Sequence, residues 1–163
     1  MRCLFFQPIL CVITLVVASS SVQAKGGLGE IFGALIGRAT GQAVGKAMAT
    51  PESVENALRK MTEEVNKRMP MTVDKETRLD NVLTGPGPRY TYNYTLVSYK
   101  SAEVDRAYLT KHLNGPLRAG VCSNPDLQVF FKHGVTIGYS YRASDGGFVG
   151  RIDIAPKDCG IVG

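Results

Sequence analysis

The 163-residue sequence contains no tryptophan, only two histidines and four cysteines, and no concentrated block of either charge. Each shortage closes off a class of function. A metal centre needs several His or Cys ligands at short spacing, and His112 and His133 do not supply that, so no metal and no cofactor are expected. The net charge of +5 is diffuse, with Arg59-Lys60 beside Glu63-Glu64 and Lys67-Arg68. A nucleic-acid partner calls for clustered positive charge among aromatic or groove-reading elements, so none is expected. A nucleophile-and-base set is also missing. His112 falls within a helical segment and His133 at a helix end, where a basic side chain near the last carbonyls is ordinary. Gly85-Pro86-Gly87-Pro88 lacks the Gly-Lys-Ser/Thr ending of a phosphate loop and reads as a turn. Asp74, Glu76 and Asp80 lack calcium-loop spacing. The sequence does not read as an enzyme.

Long apolar runs are scarce. The run from Ile9 to Val17 is too short for a comfortable membrane span. With Arg2 ahead of it and Val22-Gln23-Ala24 behind, residues 1–24 have the order of a secretory signal, cleaved after Ala24. Pro8-Ile9-Leu10 lacks the small residues that precede a lipid-modified cysteine. A periplasmic or secreted protein that is not a lipoprotein is therefore expected. Cleavage removes Cys3 and Cys11, and the remaining Cys122 and Cys159 are expected to pair in an exported chain. Asn93-Tyr94-Thr95 is a glycosylation sequon, relevant only in a eukaryotic secretory route, and its position inside a strand favours chance.

Glycine, by contrast, is abundant and ordered between residues 25 and 49. Gly29, Gly33, Gly37, Gly41 and Gly45 recur every fourth residue. On a helix they border an apolar stripe made by Ile31, Leu35, Ala39, Ala43 and Ala47 with Leu28, Phe32, Ile36, Val44 and Met48. Such a smooth ridge suits close helix contact, with protein or with membrane. Arg38 at the midpoint argues against a lone bilayer span. A plain linker is the remaining alternative, although the apolar periodicity speaks against it.

Residues 50–163 read as one α+β domain. Thr50-Pro51-Glu52 starts a helix whose apolar positions are Val54, Leu58, Met61, Val65 and Met69, stopped by Pro70. A hairpin follows, Thr77 to Thr84 and Arg89 to Ser98 around the Gly/Pro turn, with Tyr90, Tyr92, Tyr94 and Leu96 on one face. Helical signals run from Ala102 to Leu113, break at Asn114-Gly115-Pro116, and resume in a short turn from Leu117 to Cys122. Asn124-Pro125-Asp126 opens a further helix through Phe130 and Phe131, ended by Gly134. Val135, Ile137, Tyr139 and Tyr141 then alternate with polar residues. The last strand sets Phe148, Ile152 and Ile154 against Val149, Arg151 and Asp153. One apolar face per strand predicts a two-layer architecture, with a four-stranded antiparallel sheet of two hairpins and helices on one side.

The segment Leu117-Arg118-Ala119-Gly120-Val121-Cys122-Ser123-Asn124-Pro125-Asp126, followed by Phe130, Phe131, Gly134, a tyrosine-bearing hairpin and a final Cys159-Gly160-Ile161-Val162, resembles the C-terminal half of the disulfide-bonded α+β pilotins of type II secretion. The resemblance covers about residues 117–162. It implies a sheet with helices packed on it, a Cys122–Cys159 disulfide, and capture of a secretin's C-terminal helix. The lipidation signal of pilotins is absent, and the glycine row lies outside the resemblance.

Tyr90, Tyr92, Tyr94, Tyr139 and Tyr141, with Phe130, are therefore the candidate partner-binding residues. They pack as core beneath the helices or, in part, line a groove that receives a partner's apolar helix. Arg142 and Arg151 on the opposite face could meet an acidic ligand. The function expected is that of an envelope accessory protein that binds another protein, such as a secretin-like helix. The alternatives are a membrane-associated or self-associating protein acting through Gly29 to Gly45, and an immunity-type inhibitor of a secreted effector.

Overall fold

The structure is a computed structural model that describes residues 50–161. The expected secretory segment, residues 1–24, and the glycine row, residues 25–49, lie outside the described residues. The chain forms helix α1 (Pro51–Asn66), strands β1 (Met71–Thr72), β2 (Thr77–Thr84) and β3 (Arg89–Leu96), and a 3-10 turn (Ser101–Glu103). It continues through helices α2 (Arg106–Ser123) and α3 (Pro125–Lys132), strands β4 (Thr136–Ala143) and β5 (Phe148–Ile154), and a second 3-10 turn (Pro156–Cys159).

α1 begins where the capping chemistry places it. The Thr50 hydroxyl accepts from the Ser53 amide at 3.1 Å, and the Ser53 hydroxyl accepts from the Thr50 amide at 2.6 Å. Pro51 fills the first turn, where its missing N–H costs nothing. Val54, Leu58 and Val65 are buried against the sheet. The Asn66 carboxamide closes the helix end. It donates to the Val82 carbonyl and accepts from the Val82 amide, each at 2.8 Å, pairing a stretch of the β2 edge that no strand covers.

The sheet corrects the expected topology. It has five strands in the order β1-β2-β3-β4-β5, and β3 and β4 run parallel. Both expected hairpins are present, β2–β3 and β4–β5, each antiparallel. The two-residue β1 adds an edge to β2. The physical reason for the parallel seam is the crossover. α2 and α3 carry the chain back over the sheet, so β4 starts at the same end as β3. Alternation with period two is identical in parallel and antiparallel pairs, which is why strand patterning alone leaves the direction open.

Three local corrections follow. Asn114-Gly115-Pro116 does not break the helix; α2 runs through it, with Pro116 inside. The helix is held there by packing of its stripe, since Leu117 and Val121 are buried at 5% and 3% exposure and tertiary burial outweighs local propensity. The Ala102 start is also displaced, because Ser101–Glu103 is a separate 3-10 turn and Asp105 caps α2 by accepting from the Tyr108 amide at 3.0 Å. Finally, Phe148 faces solvent and Val149 is buried. Tyr141 pairs with Gly150 but Arg142 pairs with Phe148, so a β-bulge at Val149 reverses the alternation at the start of β5.

Gly115 and Gly120 sit in α2 with open space where a Cβ would go. Replacing each by alanine is expected to raise stability by about 0.5–1 kcal/mol, because alanine loses less backbone freedom in a helix. Chemical denaturation of Gly120→Ala checks this; a destabilised variant would mean that α2 depends on glycine there. Gly134 is different, since it holds φ +74° at the end of α3, a conformation that disfavours side chains.

Candidate functional site: an aromatic-floored groove

The parallel seam creates the site. It brings the C-terminal ends of β3 and β4 side by side, so Tyr92 pairs with Tyr139 and Tyr94 with Tyr141 across the sheet. Their rings form a row on the helical side. Tyr94 and Tyr141 stack at 5.3 Å between centroids, Tyr92 and Tyr139 at 5.6 Å, and Tyr90 meets Phe130 at 6.0 Å. Among the described residues α1 packs on β2 and α2 on β5, so the strip above the ends of β3 and β4 lies between the two helices.

That strip is a groove of about 680 Å³. Tyr94 and Tyr141 belong to its floor together with Leu96, while Leu109, Leu113 and Leu117 of α2 and Val104 line it from the helical side. No α1 residue lines it. The floor rings are nearly covered, at 3% and 7% exposure, and the wall residues Leu109 and Leu113 are only half-buried. Tyr108 projects at the lip, 61% exposed, and stacks on His112 at 3.7 Å. The His112 Nδ1 lies 2.8 Å from the Tyr108 carbonyl oxygen. A groove of this make-up can cover an apolar helix or peptide face.

The six aromatic candidates thus divide. Tyr94 and Tyr141 line the groove, while Tyr90, Tyr92, Phe130 and Tyr139 are enclosed in the core, each at 2% exposure or less. Burial raises the pKa of all five tyrosines above the ordinary phenol value, because a phenolate would lose its hydration. The half-exposed part of the groove escaped notice in the sequence, although Leu109, Leu113, Leu117 and Val121 form one stripe at spacing four. Its second half packs into the core and its first half runs past the core's edge.

Cys122 and Cys159 form the expected disulfide, with Cα atoms 5.2 Å apart. It ties the end of α2 to the turn after β5, on the same helix as the groove wall. His133 caps the end of α3, its amide donating to the Phe130 carbonyl. Among the described residues no group of His, Cys, Asp or Glu could hold a metal ion, and no helix is long and apolar enough to cross a membrane.

The opposite sheet face is polar and networked. Arg89 pairs with Asp153 at 2.9 Å, as does Arg151, and Arg151 Nη2 donates to the Thr91 hydroxyl at 3.3 Å. Asn93, the sequon residue, donates to Asn81 Oδ1 at 2.8 Å. Gly138 makes room for this cluster, since a Cβ there would come within 2.9 Å of both Asp153 and Thr91. Arg142 is occupied by the Gly146 carbonyl at 3.1 Å. The two arginines proposed for an acidic ligand are thus drawn to groups of this chain.

The fold is similar to that of several solved structures. One is a candidate secreted protein from Pseudomonas aeruginosa, with TM-score 0.57 and 15% identity, over 67% of this chain and 95% of that one. Another is the pilotin EpsS of the Vibrio vulnificus type 2 secretion system, with TM-score 0.53 and 10% identity, over 67% and 94%. A third is the type II secretion system pilotin AspS from Vibrio cholerae, with TM-score 0.51 and 11% identity, over 67% and 94%. At these identities the likeness is one of fold. No curated protein matches the sequence. Residues 52–147 match the family described as a domain of unknown function, DUF8479, and the chain belongs to that family.

Proposed function

We propose that this chain is an exported, non-enzymatic accessory protein of the cell envelope that captures an apolar helix of a partner protein in the groove between α2 and the end of the β3–β4 seam. The observation that carries the reading is the groove itself: two stacked tyrosines as floor and a leucine wall left half-buried by the fold. Aromatic anchors beside partly exposed aliphatic residues are what a helix-in-groove contact uses. The pilotin-like fold and the Cys122–Cys159 bond are in keeping with an envelope location. In this reading residues 1–24 are the export signal, and the helix of a secretin-like protein is the nearest analogue of the partner.

A site-specific photo-crosslinker tests it. Placed at Tyr108, on the groove lip, it should trap a discrete envelope protein in cells, and Leu113→Asp in the same chain should abolish the adduct. Placed at Leu83, which is 56% exposed and belongs to a hollow on the other sheet face, it should not trap that protein. Equal trapping from both positions, or an adduct indifferent to Leu113→Asp, would remove the groove from the function.

A further inference from the structure

The groove has an apolar floor but an acidic rim. Asp74, Glu76, Glu103 and Asp105 all line it and no lysine or arginine does, although the whole chain carries a net charge of +5. The acids come from two separate elements, the β1–β2 connection and the turn leading into α2. None of them is in an ion pair among the described residues. Each instead accepts from a local donor. Asp74 takes the Glu76 amide at 2.8 Å, Glu103 the Lys100 amide at 2.7 Å, Asp105 the Tyr108 amide at 3.0 Å, and Glu76 the Tyr99 hydroxyl at 3.0 Å. These bonds hold the carboxylates in place without cancelling their charge. Asp105 is partly compensated by the positive end of α2. Lys75, Lys100 and Arg106 are neighbours in sequence, but all three are exposed and none lines the groove.

We infer that the groove selects a cationic amphipathic helix of a partner protein. The helix's apolar stripe packs on the half-buried Leu96, Leu109 and Leu113 above Tyr94 and Tyr141, and lysines or arginines on its flanks meet Asp74, Glu76 and Glu103. This rests on the helix-capture reading above and adds the sign of the partner. A helix flanked by carboxylates would set like charges against the rim, and such juxtaposition discriminates between otherwise similar partners.

Two synthetic helical peptides of about 18 residues, or five turns, with the same leucine stripe and either lysine or glutamate flanks, serve as probes for fluorescence anisotropy on the full chain. The lysine peptide should bind about tenfold more tightly at low salt, as a few rim contacts of modest strength imply. The preference should shrink toward unity as salt rises from about 20 to 500 mM. Glu76→Gln/Glu103→Gln keeps the hydrogen-bond acceptors and removes the charge, so it should bring the two peptides close together. Leu113→Asp should weaken both. Equal binding of the two peptides by the unmodified chain, with Leu113→Asp still weakening both, refutes charge selection and leaves helix capture standing. Indifference of both peptides to Leu113→Asp removes helix capture itself. Hydrogen-exchange protection of residues 28–48 in the free chain, lost in Leu113→Asp, would assign the groove to the chain's own segment and overturn the partner assignment.

Discussion

Opening the Cys122–Cys159 disulfide is expected to cost about 3–4 kcal/mol and to lower the melting temperature by about 10–17 °C. The bond spans 37 positions and closes a loop that contains α3, β4 and β5. In the chain-entropy account its effect lies mainly in the unfolded state, which regains the freedom of that loop when the bond is cut. The folded state has other ties at the same place. Arg118 Nε donates to the Asp158 carbonyl at 2.7 Å, and Gln128 donates to the Cys122 carbonyl at 2.6 Å. The reduced protein should therefore keep its fold and lose stability. Thermal unfolding with and without reductant, repeated on Cys122→Ala/Cys159→Ala, measures the effect. A melting temperature unmoved by both treatments would show that the loop is already restricted in the unfolded chain.

Raising the pH above about 10 is expected to unfold the protein in one cooperative step. Tyr90, Tyr92, Tyr94, Tyr139 and Tyr141 are all at most 7% exposed, and burial raises each pKa in the folded state. The phenols of Tyr92, Tyr94 and Tyr139 are raised further by the neighbouring tyrosines. A raised folded pKa means that the native state keeps its protons where the unfolded state has released them. Stability from these groups is thus fully present below about pH 10 and falls as the pH rises beyond it. Each retained proton contributes a slope of about 1.4 kcal/mol per pH unit, so five together remove about 7 kcal/mol per unit. A domain of ordinary stability, about 5–15 kcal/mol, is exhausted within about two units. Phenolate absorbance and far-UV circular dichroism should change together. Ionisation of these five rings ahead of any loss of ellipticity would contradict their enclosure.

Much of the architecture could be read from residue types because local chemistry and tertiary fate agree. Thr50-Pro51-Glu52 starts α1, Asn124-Pro125-Asp126 starts α3, and Thr77 to Thr84 forms β2. Tyr90, Tyr92 and Tyr94 do share the inward face. Illegibility began where a long-range partner decides. Strand direction across the β3–β4 seam depends on how α2 and α3 return the chain, which no periodicity records. The bulge that buries Val149 depends on the pairing of Tyr141 and Arg142. Pro116 looked like a helix stop because its local cost is plain, whereas the stripe that holds α2 across it extends on both sides. The candidate site was legible in kind only. Five tyrosines on one side announced an aromatic layer, but which rings border the groove depends on where α1 and α2 sit on the sheet.

The parallel seam also sets the order in which the protein can assemble. β2 and β3 are neighbours in sequence and can pair as soon as their turn forms, but β3 must wait for β4, as Arg89 meets Thr136 and Leu96 meets Ala143. Closing so long a connection is slow relative to a hairpin. During that interval β3 is an open strand edge in which tyrosines alternate with Thr91, Asn93 and Thr95, and its aromatic and β-branched residues favour pairing with another chain. A chain that ends before β4 leaves this edge unpaired, and α2 and α3 are the segment whose return covers it.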